Sequence, residues 1–320
     1  MKPIQAVILQ WLLAMALVVV LLMSGEAGAA PPVATESGPI ACKVGSPVYS
    51  ATYSPFVAGN HVTTMSVEVT CSRSTDLIAS TVKYEISSFN GDHPSGGGNR
   101  AAIADTPPKY IKYDLYLDSN CSVVWKGGTN RIINTALLLP AGVTSASALH
   151  TFYACIPEQP TVIFGNGYSD TVKLVIANVK GSPGTPNMSN QTDGLLQVSI
   201  NVPKICNIST KPGPVAFGNY VAFGPAKTAS SSFGVTCSSA TPYDMSITDS
   251  NDRPIPTDGI SGVIAGLGYK LTLSETSGTG TGAEKRHQIN GTMAAKQPGS
   301  CANGGCIGEQ KNIHKLVVTY

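Results

Sequence analysis

Eight cysteines, all beyond residue 40, constrain this chain more than any other feature. Cys42 and Cys71 stand 29 residues apart, Cys206 and Cys237 stand 31 apart, and each pair opens one half of the sequence after residue 30. Two nearly equal separations at the head of two halves read as an internal duplication. Cys121 and Cys155 complete the first set of four, and Cys301 and Cys306 the second. Eight cysteines pair in 105 ways, but four per half with no crossing leaves three choices in each. The preferred set joins Cys42 with Cys71, Cys121 with Cys155, Cys206 with Cys237, and Cys301 with Cys306. Closing a loop of about 30 residues stabilises each half by roughly 3 to 4 kcal/mol in the chain-entropy model. Zinc is the rival use of cysteine. No Cys-x-x-Cys pair exists and His61, His93, His150, His287 and His314 are scattered, so neither a metal nor another cofactor is expected.

The strand pattern repeats with the cysteines. Met65-Ser-Val-Glu-Val-Thr-Cys71 and Ser232-Phe-Gly-Val-Thr-Cys237 alternate apolar and polar residues, with the cysteine on the apolar face. Tyr113-Asp-Leu-Tyr-Leu117 and Tyr269-Lys-Leu-Thr-Leu273 follow, then Lys173-Leu-Val-Ile176 and Lys315-Leu-Val-Val318. The order is the same in both halves, and the second half is shorter. No window shows helical periodicity over three turns, while Asn90–Asn99 and Ser277–Gly282 are rich in turn residues. The fold class is therefore all-β, a pair of sandwiches. Lys180–Gly194 reads as a loop and Pro203–Cys206 as the joint between domains.

Lys2, the apolar run Val7–Met23 and the small residues Ala27-Gly28-Ala29 read as an export signal over residues 1–29, cleaved after Ala29. A membrane anchor fits less well, because Gln10 and Trp11 interrupt the run and no basic flank follows Met23. Export agrees with an even number of cysteines. Charged residues are 12%, and Lys+Arg 21 against Asp+Glu 19 leaves +2. That balance supplies no basic face for phosphates, so nucleic acid is not an expected partner.

Trp125-Lys-Gly-Gly128, Tyr153-Ala-Cys-Ile-Pro-Glu-Gln159 and Gly167-Tyr-Ser-Asp-Thr-Val172 resemble the late signature of the spore coat protein U domain. Cys206, Phe217-Gly-Asn-Tyr220 and Thr241-Pro-Tyr243 resemble its opening. The second half lacks the Trp-Gly and Gly-Tyr-Ser-Asp elements. The family is similar to the subunits of archaic, Csu-type chaperone-usher pili. The resemblance implies immunoglobulin-like sandwiches that lack a final strand and are completed by an extended segment of the next subunit, with a two-domain member at the tip. It also implies a periplasmic chaperone, an outer-membrane usher and an adjacent strand-donating subunit as partners, and a place on the cell surface. Residues 30–202 are then the adhesin domain and 203–320 the pilin domain.

Enzyme signatures are missing: there is no Gly-x-Ser-x-Gly elbow, and Gly278-Thr-Gly-Thr-Gly282 lacks the ending of a phosphate loop. Asp114, Asp118 and Asp170 are the carboxylates considered for acid–base pairing, and Trp125 the residue considered as a sugar platform, with core packing the plainer reading. Leu137, Leu138, Leu139 and Val143, with Ile163 and Phe164 second, are the candidate attachment surface for an abiotic or host surface. Each group is an apolar run beside turn residues, and an extended chain must put leucine on both faces. A glycan-binding lectin and a structural coat or shaft protein are the alternatives. Leu196, Val198, Ile200 and Val202 fall on one face and are expected to supply the first half with its own final strand. The second half is expected to stop after Lys315–Val318, leaving Leu316, Val318 and Tyr320 along an open acceptor edge. The stretch before Cys42, with Pro31, Pro32 and Pro39, lacks the alternating row of a donor.

Overall fold

The computed structural model describes residues 39–74, 78–94, 98–103, 107–182, 191–249, 259–299 and 308–320. The expected export signal, the Cys301–Cys306 pair and most of the 180–194 loop lie outside them. Among the described residues every regular element is a strand. The first five are β1 (Ile40–Val44), β2 (Val48–Thr52), β3 (His61–Arg73), β4 (Ser80–Ser88) and β5 (Asn99–Ile103). Then come β6 (Lys109–Tyr116), β7 (Ile132–Leu139), β8 (Ser145–Ile156), β9 (Gly165–Ser182) and β10 (Gly194–Val202). The second half supplies β11 (Cys206–Thr210), β12 (Lys227–Cys237), β13 (Pro242–Thr248) and β14 (Ile260–Ile264), then β15 (Leu267–Leu273), β16 (Ser277–Thr279), β17 (Glu284–Met293) and β18 (Lys315–Thr319).

Two immunoglobulin-like sandwiches result. In the first, β1-β3-β8-β6 faces β7-β4-β9-β10-β2, and β5 links the layers by pairing with β6 and touching β9 at Ala102–Ser169. Trp125 is buried there, its ring 4.9 Å from that of Phe152 and its Nε1 donating to the Ile86 carbonyl at 3.1 Å. β10 closes this core. Its Leu196, Val198, Ile200 and Val202 are buried while Leu195, Gln197 and Ser199 face out, as strict alternation requires. Each such aliphatic burial contributes on the order of 1.5 to 3 kcal/mol. β10 lies antiparallel to β9 and parallel to β2, and where it enters at Gly194 its backbone passes too close to Gly45 for any Cβ to fit.

The second sandwich sets β11-β12-β17-β15-β14 against β16-β13-β18, and its registers repeat those of the first. Cys42 stands opposite Cys71 and Cys206 opposite Cys237, each pair disulfide-bonded, with Cys121–Cys155 as the third bond among the described residues. Val67 faces His150 as Phe233 faces His287, and Ser88 faces Leu174 as Ile247 faces Leu316. The Tyr84 hydroxyl reaches His150 Nε2 across the layers at 2.7 Å, and the Tyr243 hydroxyl reaches His287 Nε2 at 2.9 Å. The Tyr113 hydroxyl donates to Asp170 at 2.7 Å, and its counterpart Tyr269 accepts from Asn312 at 2.8 Å.

One difference between the two copies lies beside β9 and β18. β9 has strand partners on both sides, β4 and β10, whereas β18 pairs only with β13 among the described residues. Val44 is 0% exposed and its counterpart Ile208 is 36% exposed. Leu174 and Ile176 are buried; Leu316 and Val318, in the same positions, are half-buried.

Candidate functional site

Strand direction sorts the loops into two poles. Ser72 pairs with Ser145 and Ser80 with Leu139, so the β3–β4 and β7–β8 loops share the pole far from the second sandwich. Val202 pairs with Gly165 and His61 with Ile156 at the opposite pole, where β10 runs into the joint.

At the far pole the buried Arg73 side chain gathers both loops. Its Nε and Nη2 donate to the Val143 carbonyl at 3.0 and 2.9 Å, and Nη2 also donates to the Pro140 carbonyl at 2.5 Å. Nη1 donates to the Ser80 hydroxyl at 3.0 Å and to the Ile78 carbonyl. The fixed fork of a guanidinium suits this multiple capture of carbonyls. Pro140–Val143 forms a type II turn, with Val143 N–H donating to the Pro140 carbonyl at 3.1 Å and Gly142 at φ 80°, a conformation that favours glycine. Leu138, 56% exposed, and Val143, 36% exposed, stand out here beside the exposed Pro140 and Ala141.

Leu137 and Leu139 do not join them. Both are buried in the first core, Leu139 completely, because the pleat sends alternate residues of β7 inward. They are withdrawn from the attachment surface. A bulge between the Val82–Leu137 and Tyr84–Asn134 pairs shifts the alternation, so Ile133 points outward with Leu138.

Ile163 and Phe164 lie at the wrong pole for attachment. Ile163 forms a parallel bridge with Ser239, and Phe164 N–H donates to the Ser239 carbonyl at 3.1 Å. The Lys204 ammonium sits 4.9 Å from the centroid of the Phe164 ring. The fully buried Ser238 holds the joint from the other side, its hydroxyl donating to the Pro203 carbonyl at 3.1 Å and accepting from Ile205 N–H at 3.0 Å. Both residues are half-buried contacts between the sandwiches.

Each candidate carboxylate serves its own neighbourhood. Asp170, buried, takes the Tyr113 hydroxyl and the Asp92 and Thr171 N–H groups. Asp118 closes a turn on Ser122 and Val123, and the Val123 N–H holds its carboxyl below the ordinary range. Asp114 accepts from Asn99 at 3.1 Å, and burial pushes its carboxyl up to about 6.

The third region is the edge of β18. Leu316 and Val318 pack on the second core from one side, and Tyr320 is exposed beyond them. Ile208 lies across the gap on β11.

The family model of the Spore Coat Protein U domain matches residues 33–175 and 192–257, more than half of the chain. The chain belongs to the spore coat protein U domain family. In this spore coat U chain the second matched segment begins just before β10 and runs past β13, so the match crosses from one sandwich to the other. No curated protein matches. Among solved structures, the CsuC–CsuE chaperone–tip adhesion subunit complex from archaic chaperone-usher Csu pili of Acinetobacter baumannii is 18% identical. It covers 87% of this chain and 100% of that one, with a TM-score of 0.46. The CupB6 tip adhesin from Pseudomonas aeruginosa is 11% identical over 88% of this chain and 94% of that one, with a TM-score of 0.38. Neither likeness carries a functional conclusion at these scores, and the function has to be read from this chain's own residues.

Sequence reasoning missed Arg73, Ile133 and Ile208. Ile208 was within reach: it sits two residues after Cys206 as Val44 sits two after Cys42.

Proposed function

We propose that this spore coat U chain is the tip adhesin of an archaic, Csu-type chaperone-usher pilus. The far pole of the first sandwich attaches to a surface, and the second sandwich, an incomplete pilin fold, is anchored in the fibre by a strand from the adjacent subunit. One observation carries this reading: the same fold occurs twice, and among the described residues no strand beside β18 takes the place that β10 fills in the first copy. An open edge flanked by half-buried Leu316 and Val318 and by exposed Ile208 suits an extended segment with alternating apolar side chains. In this reading residues 1–29 are removed on export, 30–202 form the adhesin domain and 203–320 the pilin domain. A periplasmic chaperone protects the open edge until an outer-membrane usher exchanges it for the neighbouring subunit. Leu138 and Val143, the large apolar side chains exposed at the far pole, favour an abiotic or apolar host surface and biofilm formation over glycan binding.

The test is immuno-electron microscopy of native fibres with antibody against the first sandwich. Label confined to fibre ends is expected. Label along the shaft would make this a shaft subunit, and fibres without label would remove it from the pilus.

A further inference from the structure

In the first sandwich β9 is laddered to β10 over its first half, from Gly165–Val202 through Ile200–Tyr168, Gln197–Thr171 and Leu196–Val172 to Gly194–Leu174. The shared registers fix the correspondence with the second sandwich. Because Leu174 answers to Leu316 and Asp170 to Asn312, residues 166–172 answer to 308–314. The former are strand; the latter carry no strand ladder, and β18 starts only at Lys315. All but one of 308–314 are exposed, Ile313 at 83%.

The segment is nevertheless already placed across the end of the core. Asn312 Nδ2 donates to the Tyr269 hydroxyl at 2.8 Å and to the Val263 carbonyl at 2.9 Å, and His314 Nε2 lies 2.7 Å from the same hydroxyl. Gln310, Asn312 and His314 occupy the positions of Tyr168, Asp170 and Val172, which in the first sandwich face inward and are buried. What separates the two copies is the strand alongside, since a chain with one edge unpaired leaves its backbone groups to water.

We propose that residues 308–314 are a recruitable half of the acceptor edge: they join β18 as strand when the donated segment pairs with them. The inference rests on the strand-acceptor reading above and goes further, because it sets the extent and direction of the partner. The partner is an extended segment antiparallel to β18, starting opposite Leu316 and long enough to pass Gln310. Alternate residues, in the positions of Leu196, Val198 and Ile200, face His314, Asn312 and Gln310. Insertion therefore proceeds from an ordered half of the groove into a half that it organises.

The probe is the full chain with a second copy of residues 194–202 added after Tyr320 through a short glycine-serine turn, followed by amide hydrogen exchange. Exchange in both 308–314 and 315–319 should slow by about tenfold or more relative to the chain without the addition. Protection of 315–319 alone overturns the inference and leaves the strand-acceptor reading standing. No protection anywhere in the second sandwich overturns both. A further variant carries Val198→Asp and Ile200→Asp in the added copy only, and it should lose the protection of 308–314. If that protection persists, pairing is not its cause and the inference falls.

Discussion

The carboxylate of Asp170 takes the Tyr113 hydroxyl at 2.7 Å across the first sandwich while also holding the Asp92 N–H at 2.7 Å and the Thr171 N–H at 2.9 Å. One buried side chain thus joins β9 to β6 and fixes the start of the loop after β4. Leaving buried donors without a partner costs about 1 to 3 kcal/mol each. Asp170→Ala should lower the stability of the first sandwich by at least about 2 kcal/mol in urea unfolding. Asp170→Asn should recover part of the loss, because Asn312 serves the equivalent tyrosine in the second sandwich.

The two sandwiches should respond differently to acid. Burial holds both His150 and His287 below the ordinary histidine range, in His287 against an opposing pull from Glu275. A histidine with a depressed folded pKa contributes stability in full above about pH 6.5, and that contribution declines as the pH falls towards the folded value. Asp114 acts in the opposite sense. Its raised value of about 6 favours the folded state as the pH falls from 6 towards the ordinary 3.8. It shares the first sandwich with His150, whereas Glu275 beside His287 is held below the ordinary carboxylate range by its hydrogen bond with Lys285 and gives the second sandwich no such gain. Calorimetry at pH 7 and pH 5 should show the second sandwich losing more stability than the first, and His287→Phe should flatten its pH dependence.

Adjacent residues of the leucine run differ in exposure, Leu139 buried and Leu138 out, and under the proposed attachment role they should respond differently. Leu138→Thr should leave the melting temperature within about two degrees of the parent, since surface changes cost within ~0.5 kcal/mol, and reduce binding to polystyrene. Leu139→Ala should cost about 2 to 5 kcal/mol and disturb folding first. If Leu138→Thr binds polystyrene as well as the parent does, this pole is not the attachment surface.

Arg73 should matter to attachment without touching the surface. Arg73→Ala removes the donors that hold Val143 and Pro140, so amide exchange at 141–144 should speed up and attachment should weaken with Leu138 and Val143 still present. Arg73→Lys should not restore either property, because one ammonium cannot reproduce the planar fork. Equal exchange rates in parent and Arg73→Ala would remove Arg73 from this role.

Periodicity made much of the fold legible. The alternation of Leu196 to Val202 identified β10, and the matched separations of Cys42–Cys71 and Cys206–Cys237 revealed two copies of one sandwich. The run Leu137–Leu139 put leucine on both faces of its strand but did not say which face, if either, is wet, since a bulge two residues earlier resets the phase of β7. Ile163 and Phe164 carried the same local signal as Leu138 and Val143, an apolar pair beside a turn. Only the direction of β9 assigns them to the joint rather than to the far pole. Arg73, two residues past a strand cysteine, reads from sequence as a solvated charge; its burial depends on the distant β7–β8 loop folding back onto its own β3–β4 loop.

β10 sits between two neighbours, antiparallel to β9 and parallel to β2, and leads directly into the joint at Pro203. A tug on the second sandwich, with the first held at its far pole, therefore pulls β10 lengthwise. Its ladders then resist in shear, with many hydrogen bonds strained together on both flanks instead of opening one after another. Under the proposed attachment, the strand that closes the core would also be the cable by which the first sandwich bears tension.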